Sequence, residues 1–176
     1  HALAIEAAMA FGTGHHATTQ GCLWLIDRLA RAGWRPRRVA DIGCGTGVLA
    51  MAAASVWRVP AMASDIDPVA SATARANAAA NGLGGFVHAL TAPGFRHERL
   101  RREAAYDLVL ANILAAPLKR LAPDIHRHLA PGGRAILSGL LTTQAPGVLA
   151  VYQSQGFKRL ERRRIGEWTS LLLEKR

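Results

Sequence analysis

The sequence predicts an α/β fold with a mostly parallel sheet that ends in an antiparallel pair of strands. Three observations support this class. Short apolar segments typical of buried strands alternate with helical patterns between residues 38 and 155. A glycine-rich turn joins the first of these strands to the helix that follows it. The segments 157–164 and 168–174 then alternate like two neighbouring antiparallel strands.

The first expected helix, His16–Ala32, has an apolar stripe at helical spacing, and either Thr18 or Thr19 is expected to be its N-cap. The third expected helix, Pro68–Asn81, has Pro68 in its first turn and stops at Gly82. The other expected helices are Val48–Val56, a stretch Leu114–Leu129 of one or two helices interrupted by Pro117 and Pro123, and Ala145–Gln155. The expected parallel strands are Arg38–Ile42, Ala61–Ser64, Phe86–Leu90, Tyr106–Ala111 and Arg134–Ser138. Between them, Thr91–Ala105 is expected to be a loop with a short helix.

Length and composition indicate a single domain over residues 1–176. No apolar run approaches the roughly 20 residues that span a bilayer, and no secretory signal pattern is found. The two cysteines, Cys22 and Cys44, lack the spacing of metal ligands. These features favour a soluble, cytoplasmic protein without a membrane partner. The start at His1 rather than Met indicates a tag remnant or a truncation, and a preceding domain is compatible with it.

The charge balance is strongly basic, with 22 Lys and Arg against 12 Asp and Glu and a formal net charge of +10. Such a surface attracts RNA or a partner embedded in RNA. The alternative is a solvated arginine-rich surface without a particular partner. The basic residues form four loose groups, 28–38, 96–102, 119–127 and 158–164, and no Arg or Lys run is interleaved with exposed aromatic residues of the kind that a base-stacking surface needs.

The segment from Asp41 to Gly47 carries the first chemical signal. A buried strand runs into Gly43, Gly45 and Gly47, which permit a tight turn and a close approach of a ligand to the backbone. The spacing is GxGxG rather than the GxGxxG of dinucleotide sites. A loop that faces an uncharged or zwitterionic ligand is therefore favoured, and Asp41 can attract its ammonium group directly or through water. A glycine turn without any ligand is the alternative.

Two further strand ends carry polar residues. Asp65 follows the second strand about 20 residues after the loop, where an acid can accept both hydroxyls of a ribose. Asp67 precedes Pro68 and is interpreted as a helix cap. Asn112 follows the fourth strand, at the sheet edge where open α/β sheets bind ligands, and its amide offers an acceptor and donors. Its alternative role is that of a loop residue capping the next helix.

Together these segments resemble one family, the ribosomal protein L11 methyltransferases, over nearly the whole chain and in the same order. The resemblance rests on Phe11-Gly12-Thr13-Gly14-His15-His16-Ala17-Thr18-Thr19, Asp41-Ile42-Gly43-Cys44-Gly45-Thr46-Gly47, Asp65-Ile66-Asp67-Pro68, Ala111-Asn112-Ile113-Leu114-Ala115, Ser138-Gly139-Leu140-Leu141 and Gly166-Glu167-Trp168. Of these, the first and the fourth are the more specific, because GxGxG is shared by most class I methyltransferases.

The resemblance implies a Rossmann-like sheet of seven strands, with the last strand antiparallel and helices on both faces. It implies S-adenosylmethionine as cofactor and amino groups of ribosomal protein L11 as substrate. The implied catalytic residue is Asn112, and no metal is expected. The implied cofactor contacts are Phe11, Thr13, Thr19, Asp41, Gly43, Gly45, Asp65 and Asn112. The N-terminal substrate-recognition domain of the family is expected to be absent from this chain, so substrate identity is expected to transfer less directly than the chemistry.

Because the cofactor sulfonium is already electrophilic, the expected reaction needs alignment of a neutral amine more than acid–base groups. A lysine has a pKa near 10.4 in water, which a dry pocket lowers. Asn112 and nearby carbonyls are expected to hold the amine without a dedicated general base. His15 and His16 are expected to have a structural or lid role, and Trp168 to be buried rather than to face the amine.

Two rival functions remain open at this level. An RNA methyltransferase is suggested by the basic charge, but the fourth strand end has no aromatic residue on which a flipped base would stack. A dinucleotide-binding module without methyl transfer is disfavoured by the GxGxG spacing and by the C-terminal antiparallel pair. Other proteins or small amines are further possible methyl acceptors.

Overall fold

A computed structural model describes residues 16–176 of the chain. Its elements, in chain order, are α1 (Ala17–Arg31), β1 (Val39–Ile42), α2 (Val48–Trp57), β2 (Ala61–Asp65), α3 (Pro68–Ala80), β3 (Val87–Thr91), α4 (Glu98–Arg102), β4 (Tyr106–Asn112), α5 (Ala115–His128), β5 (Leu129–Leu141), α6 (Ala145–Ser154), β6 (Phe157–Ile165) and β7 (Trp168–Lys175). None of the helices within this part of the chain combines the length and the apolar character that a membrane crossing needs.

The strands form one seven-stranded sheet in the order β3-β2-β1-β4-β5-β7-β6. Strands β1 to β5 pair in parallel, whereas β7 is antiparallel to both β5 and β6. The seven-stranded, mostly parallel sheet with a C-terminal antiparallel pair is therefore confirmed. The order reverses between β1 and β4, which creates the switch point where open α/β sheets bind their ligands.

Helices cover both faces of the sheet, as expected. Successive side chains of a strand point to opposite faces, so Leu108 and Leu110 of β4 pack against α1, α2 and α3, while Val109 and Ala111 pack against α4, α5 and α6. These four side chains are fully buried. Burial of a large aliphatic side chain contributes roughly 1.5–3 kcal/mol, so the two apolar layers hold the strand ends in fixed positions.

Helix α1 begins differently from the prediction. Its N-cap is His16, whose ring Nδ1 accepts a hydrogen bond from the backbone N–H of Thr18 at 3.3 Å. Thr18 and Thr19, the predicted caps, lie inside the first turn and are buried. The prediction was wrong because an imidazole, which is not among the usual capping side chains, satisfies the free N–H here.

The proline-containing segment also differs from the prediction. Helix α5 is continuous, with Pro117 in its first turn, where its missing N–H costs nothing, and Pro123 inside the helix. Buried residues on both sides of Pro123, among them Leu118 and Ile125, hold the two halves of the helix against the sheet. Packing along the apolar face therefore outweighs the roughly 3 kcal/mol by which an internal proline disfavours a helix.

Strand β5 is longer than predicted. Its first residue, Leu129, pairs with Tyr106, and the pairing then shifts so that Arg134 pairs with Leu108. The glycine pair expected to precede the strand lies within this irregularity, since Gly132 has a φ of +69°. The predicted turn is thus an interruption inside the strand rather than its boundary.

Candidate functional site

Three strand ends meet at the carboxyl edge of the sheet, on both sides of the switch point. Ile42, the last residue of β1, pairs with Ser64 of β2, and Asp41 pairs with Leu110 of β4. Asp65 and Asn112 therefore lie at the same level of the sheet, on the strands that flank β1. Since neighbouring strands are about 4.8 Å apart, these two residues lie on strands separated by about 10 Å. The structure thus brings together the two residues that the sequence placed in one cleft.

The glycine loop lies between them. The backbone N–H groups of Gly43 and Cys44 both donate to the carbonyl of Ser64, at 2.7 and 3.0 Å, which holds the loop against β2. Gly43 and Gly47 have φ values of +73° and +79°. A Cβ at Gly43 would overlap the side chain of Ile113, and one at Gly47 would lie 2.9 Å from the Cβ of Ala74. Side chains at these two positions are excluded by conformation and by space.

Asp41 lies beneath the loop and is 1% exposed. Its Oδ2 accepts the backbone N–H of Ala50 at 3.1 Å and so replaces the side-chain cap that Gly47 cannot give to α2. Its Oδ1 has no hydrogen-bond partner among the described residues. Burial raises the pKa of Asp41 to about 7. An unpaired oxygen at this depth is the group that a ligand cation, or a water between them, would satisfy.

Asp65 fastens two loops at the end of β2. Its Oδ2 accepts the N–H of Gly45 at 2.9 Å, and its Oδ1 accepts the N–H of Asp67 at 3.0 Å. A carboxylate has about four acceptor positions, so two remain for further donors. Asp67 caps α3 by accepting the N–H of Val69 at 2.8 Å, which confirms the capping role predicted for it.

Asn112 is fixed at the end of β4 by helix α1. Its Nδ2 donates to the hydroxyl of Thr19 at 3.3 Å, and Thr19 is 1% exposed. With the amide nitrogen engaged, the carbonyl Oδ1 is the atom that can accept a hydrogen bond from an amine. Thr19 therefore acts on the site through Asn112 in this structure, while its direct contact with a cofactor stays a prediction.

Ile113 lies between two glycines. Besides facing Gly43, it faces Gly139, which has a φ of +81° and whose added Cβ would overlap the backbone carbonyl of Ile113. The preceding residue, Ser138, pairs with Asn112 and donates to the carbonyl of Thr18 at 3.1 Å. The predicted Ser138-Gly139 segment thus supports the Asn112 end of the strand from the neighbouring strand.

His16 and Trp168 pack together beside this edge, with ring centroids 4.9 Å apart and an interplanar angle of 69°. His16 also caps α1, and its capping role agrees with the structural role expected for it. Trp168 is half-buried in the first position of β7. The predicted contacts Phe11 and Thr13, together with His15, lie outside the described residues.

Sequence reasoning missed two apolar residues at the same edge. Ile66, directly after Asp65, is 74% exposed, and Leu114, two residues after Asn112, is 70% exposed. Large aliphatic side chains next to a polar cleft indicate a surface that a ligand or a partner covers. Their position one or two residues after strand ends that carry polar residues is the signal that identifies them.

The donor set of the site suits an organic ligand. Within residues 16–176, no group of three or more His, Cys, Asp or Glu side chains is arranged to hold a metal ion. The cleft instead offers a carboxylate with free acceptor positions, an unpaired buried carboxylate oxygen, a glycine cradle and an exposed aliphatic residue. This combination fits a nucleoside with a cationic amino-acid tail.

The chain matches, over residues 1–176, the family model described as ribosomal protein L11 methyltransferase (PrmA). It is 53% identical to the ribosomal protein L11 methyltransferase of Bradyrhizobium diazoefficiens (strain JCM 10833 / BCRC 13528 / IAM 13628 / NBRC 14792 / USDA 110) and 52% identical to that of Rhodopseudomonas palustris (strain BisB5). Each match covers 97% of this chain and 58% of the relative. The chain thus spans somewhat more than half the length of these relatives.

Among solved structures, the chain resembles the ribosomal protein L11 methylase from Lactobacillus delbrueckii subsp. bulgaricus. The TM-score is 0.82 at 32% identity, and the match covers 93% of this chain and 81% of the other. Fold, motif order and sequence identity agree. This chain belongs to the ribosomal protein L11 methyltransferase family.

Proposed function

We propose that this chain transfers methyl groups from S-adenosylmethionine to amino groups of ribosomal protein L11, on a lysine side chain, on the N-terminal amine or on both. One observation carries the proposal. Asp65 and Asn112 lie at the same edge of the sheet, on the two strands that flank the glycine loop. A nucleoside held by the first residue can therefore present its reactive end to the second.

The residues for cofactor binding have separate tasks. The two free acceptor positions of the Asp65 carboxylate are available to the two hydroxyls of a ribose. Ile66 offers an apolar surface beside it for a nucleobase. The unpaired oxygen of Asp41 and the backbone of Gly43 and Gly45 suit the amino-acid tail. When bound, S-adenosylmethionine supplies an electrophilic methyl group on its sulfonium, so this chain needs no strong acid or base of its own.

Asn112 is the proposed catalytic residue. Its Nδ2 is engaged by Thr19, so its Oδ1 can accept an N–H of the incoming amine and orient the nitrogen lone pair. The amine must be neutral to react, and desolvation near Ile113 and Leu114 favours the neutral form. In the described residues, the amide of Asn112 bonds to a hydroxyl rather than to a titratable group. Alignment without a dedicated general base is therefore the mechanism that the geometry supports.

The substrate is the part of the proposal that rests on the relatives. Those with 52–53% identity are named for methylation of ribosomal protein L11. This chain covers 58% of their length, so recognition of L11 is proposed for it rather than transferred with the fold. The Asn-Ile-Leu sequence that begins at the last residue of β4 has no aromatic residue for base stacking and so favours a protein amine over an RNA base.

The test uses the purified chain with tritium-labelled S-adenosylmethionine and two separate acceptors, isolated ribosomal protein L11 and ribosomal RNA. We expect label in the protein and none in the RNA. Asn112→Ala should reduce transfer by about a hundredfold, because orientation contributes several kcal/mol to such reactions. Gln153→Ala removes an exposed amide from α6 and serves as the matched control, with unchanged transfer.

Binding of S-adenosylhomocysteine, measured by calorimetry, completes this test. Binding without labelling of L11 would retain the cofactor site and refute the proposed substrate. Labelling of RNA alone would establish the rival function. An Asn112→Ala variant with full transfer would refute the proposed catalytic role.

A further inference from the structure

Strand β6 is the most basic exposed element within the described part of the chain and plays no part in the site described above. Its sequence, FKRLERRRI, contains five basic residues and one acidic residue. All five basic side chains are exposed. Among the strands of residues 16–176, β6 is hydrogen-bonded only to β7, at an outer edge of the sheet, and it presents this charge along that edge. We define the basic edge as Lys158, Arg159, Arg162, Arg163 and Arg164.

The pairing of β6 with β7 places several arginines on the same face of β6. Pairing with β7 shifts between Arg159 and Glu161. As a result Arg159 and Arg162, three residues apart, line the same cavity of about 100 Å³ next to the start of α6. Alternation along the strand places Arg164 on that face too. Glu161 and Arg163 face α1 instead, where Glu161 pairs with Arg28 at 3.7 Å and Arg163 lies 4.6 Å above the ring of Trp24.

The charge of the basic edge is not compensated within the described part of the chain. None of its five basic side chains forms an ion pair with a carboxylate there, whereas several other arginines do. The only acid of the strand, Glu161, is already paired with Arg28. A row of uncompensated guanidinium groups attracts an anion with repeated charges, and each guanidinium offers a planar fork that matches phosphate oxygens.

The basic edge also points toward the candidate site. Because β6 and β5 are both antiparallel to β7, β6 runs in the same direction as β5, and its end at Arg164 lies at the carboxyl edge of the sheet. Asn112 lies at that edge on β4, three strands away, at a lateral distance of about 14 Å. A polyanion bound along β6 would thus reach the same edge of the sheet as Asn112.

We infer that the basic edge binds the phosphate backbone of RNA without reading its sequence. The choice of RNA over an acidic peptide rests on the proposed function. The proposed substrate is a ribosomal protein, and ribosomal proteins bind RNA. The one aromatic side chain of the strand, Phe157, is buried, which fits backbone contact rather than base stacking. The inference concerns binding alone and adds no chemical step.

The test measures binding of a fluorescein-labelled single-stranded RNA of about 16 nucleotides by fluorescence anisotropy across a series of salt concentrations. Binding by the unmodified chain should weaken linearly in a plot of log affinity against log salt. The triple variant Arg159→Gln, Arg162→Gln, Arg164→Gln should bind at least tenfold more weakly at low salt. Its slope should be smaller by about 2, since each lost contact with a single strand removes about 0.7.

The matched control is the triple variant Arg35→Gln, Arg96→Gln, Arg101→Gln. It removes the same charge from exposed arginines outside β6 that form no ion pair within residues 16–176. It should retain the affinity and the slope of the unmodified chain. Equal losses in both triple variants would show that net charge alone attracts RNA, and would overturn the inference.

Two further measurements separate this inference from the proposed function. A polyglutamate peptide that competes as strongly as unlabelled RNA would assign the edge to acidic protein segments and overturn the inference. Transfer of tritium to free L11 should be the same for both triple variants, because neither changes the cleft. A loss of RNA binding with intact transfer supports the inference, whereas a chain that never labels L11 but binds RNA through β6 refutes only the proposed function.

Discussion

The side-chain amide of Asn112 donates a hydrogen bond to the hydroxyl of Thr19 at 3.3 Å, although 93 residues separate the two. This bond ties the end of β4 to the first turn of α1. It also decides which atom of the amide faces the cleft, because the nitrogen is turned toward the helix. The orientation of the proposed catalytic residue therefore depends on a buried residue that an incoming amine cannot reach.

Substitution of Thr19 by Val tests this dependence. The hydroxyl is lost while the volume is nearly kept, so the amide of Asn112 can turn. We expect methyl transfer to fall about fivefold, which corresponds to the roughly 1 kcal/mol of one hydrogen bond. Thr19→Ser keeps the hydroxyl and should retain most of the rate. The measurement is kcat and KM for L11, and a loss confined to cofactor affinity would contradict the positioning role.

Substitution of Asp65 by Asn tests the sugar contact. The amide keeps one acceptor for the loop N–H groups but loses the charge and one acceptor oxygen. We expect the Kd for S-adenosylhomocysteine to rise about tenfold to a hundredfold, as measured by calorimetry. Asp67→Asn is the control, since Asn is an equally good N-cap and should leave the Kd unchanged. Equal effects of both substitutions would exclude a specific role of Asp65.

Asp41 predicts a pH dependence of stability in the unliganded protein. Burial raises the pKa of its carboxyl from the ordinary 3.8 to about 7. Between these values the folded protein holds a proton that the unfolded chain has released, so the contribution of Asp41 to the free energy of unfolding decreases as the pH rises from about 4 to about 7. Below this window the contribution is fully present, and above it the loss is complete.

Asp41→Asn removes this titration while keeping an acceptor for the N–H of Ala50. The free energy of unfolding of the variant minus that of the unmodified chain should therefore increase between pH 4 and pH 7 and then level off. Urea denaturation at several pH values measures it. A constant difference across this range would show that Asp41 is not protonated in the folded protein.

The position of Gly139 predicts a selective loss of activity. In Gly139→Ala, the new methyl group overlaps the carbonyl of Ile113, so the end of β4 must move. Gly132→Ala is the matched control, because Gly132 also has a positive φ but no atom within 4 Å of an added Cβ. Both substitutions should cost about 1–2 kcal/mol of conformational strain, whereas only Gly139→Ala should reduce methyl transfer more than tenfold. Similar activities would place Gly139 outside the support of the site.

The strands and the residues at their ends could be predicted because they depend on local patterns. Apolar runs followed by Asp65 or Asn112 indicate where parallel strands end, and such ends share one edge of a sheet. The capping role of Asp67 follows in the same way from the proline after it. Helix ends were predicted less well where an unusual side chain acts, as His16 does for α1. The continuity of α5 through Pro123 depends on packing against the sheet, which no local pattern contains.

The contacts that orient the site could not be predicted, because they join distant parts of the chain. Thr19 was expected as a cofactor contact, and its bond to Asn112 becomes visible only when α1 lies across the end of β4. The fit of Ile113 between Gly43 and Gly139 likewise joins three separate segments. Sequence patterns predict which residues lie at the edge of the sheet, whereas the hydrogen bonds and packing contacts between these residues are seen only in the folded structure.

The carboxylate of Asp65 bonds to the backbone of both neighbouring loops, so the side chain that we propose to bind the sugar also holds the binding loops in place. A substitution of Asp65 would therefore change the sugar contact and the loop conformation together. A relative that needs faster release of spent cofactor has to vary its neighbours, such as the aliphatic residue at position 66, and leave the acid alone. We therefore expect changes in cofactor affinity to evolve through substitutions of residues next to Asp65 and not of Asp65 itself.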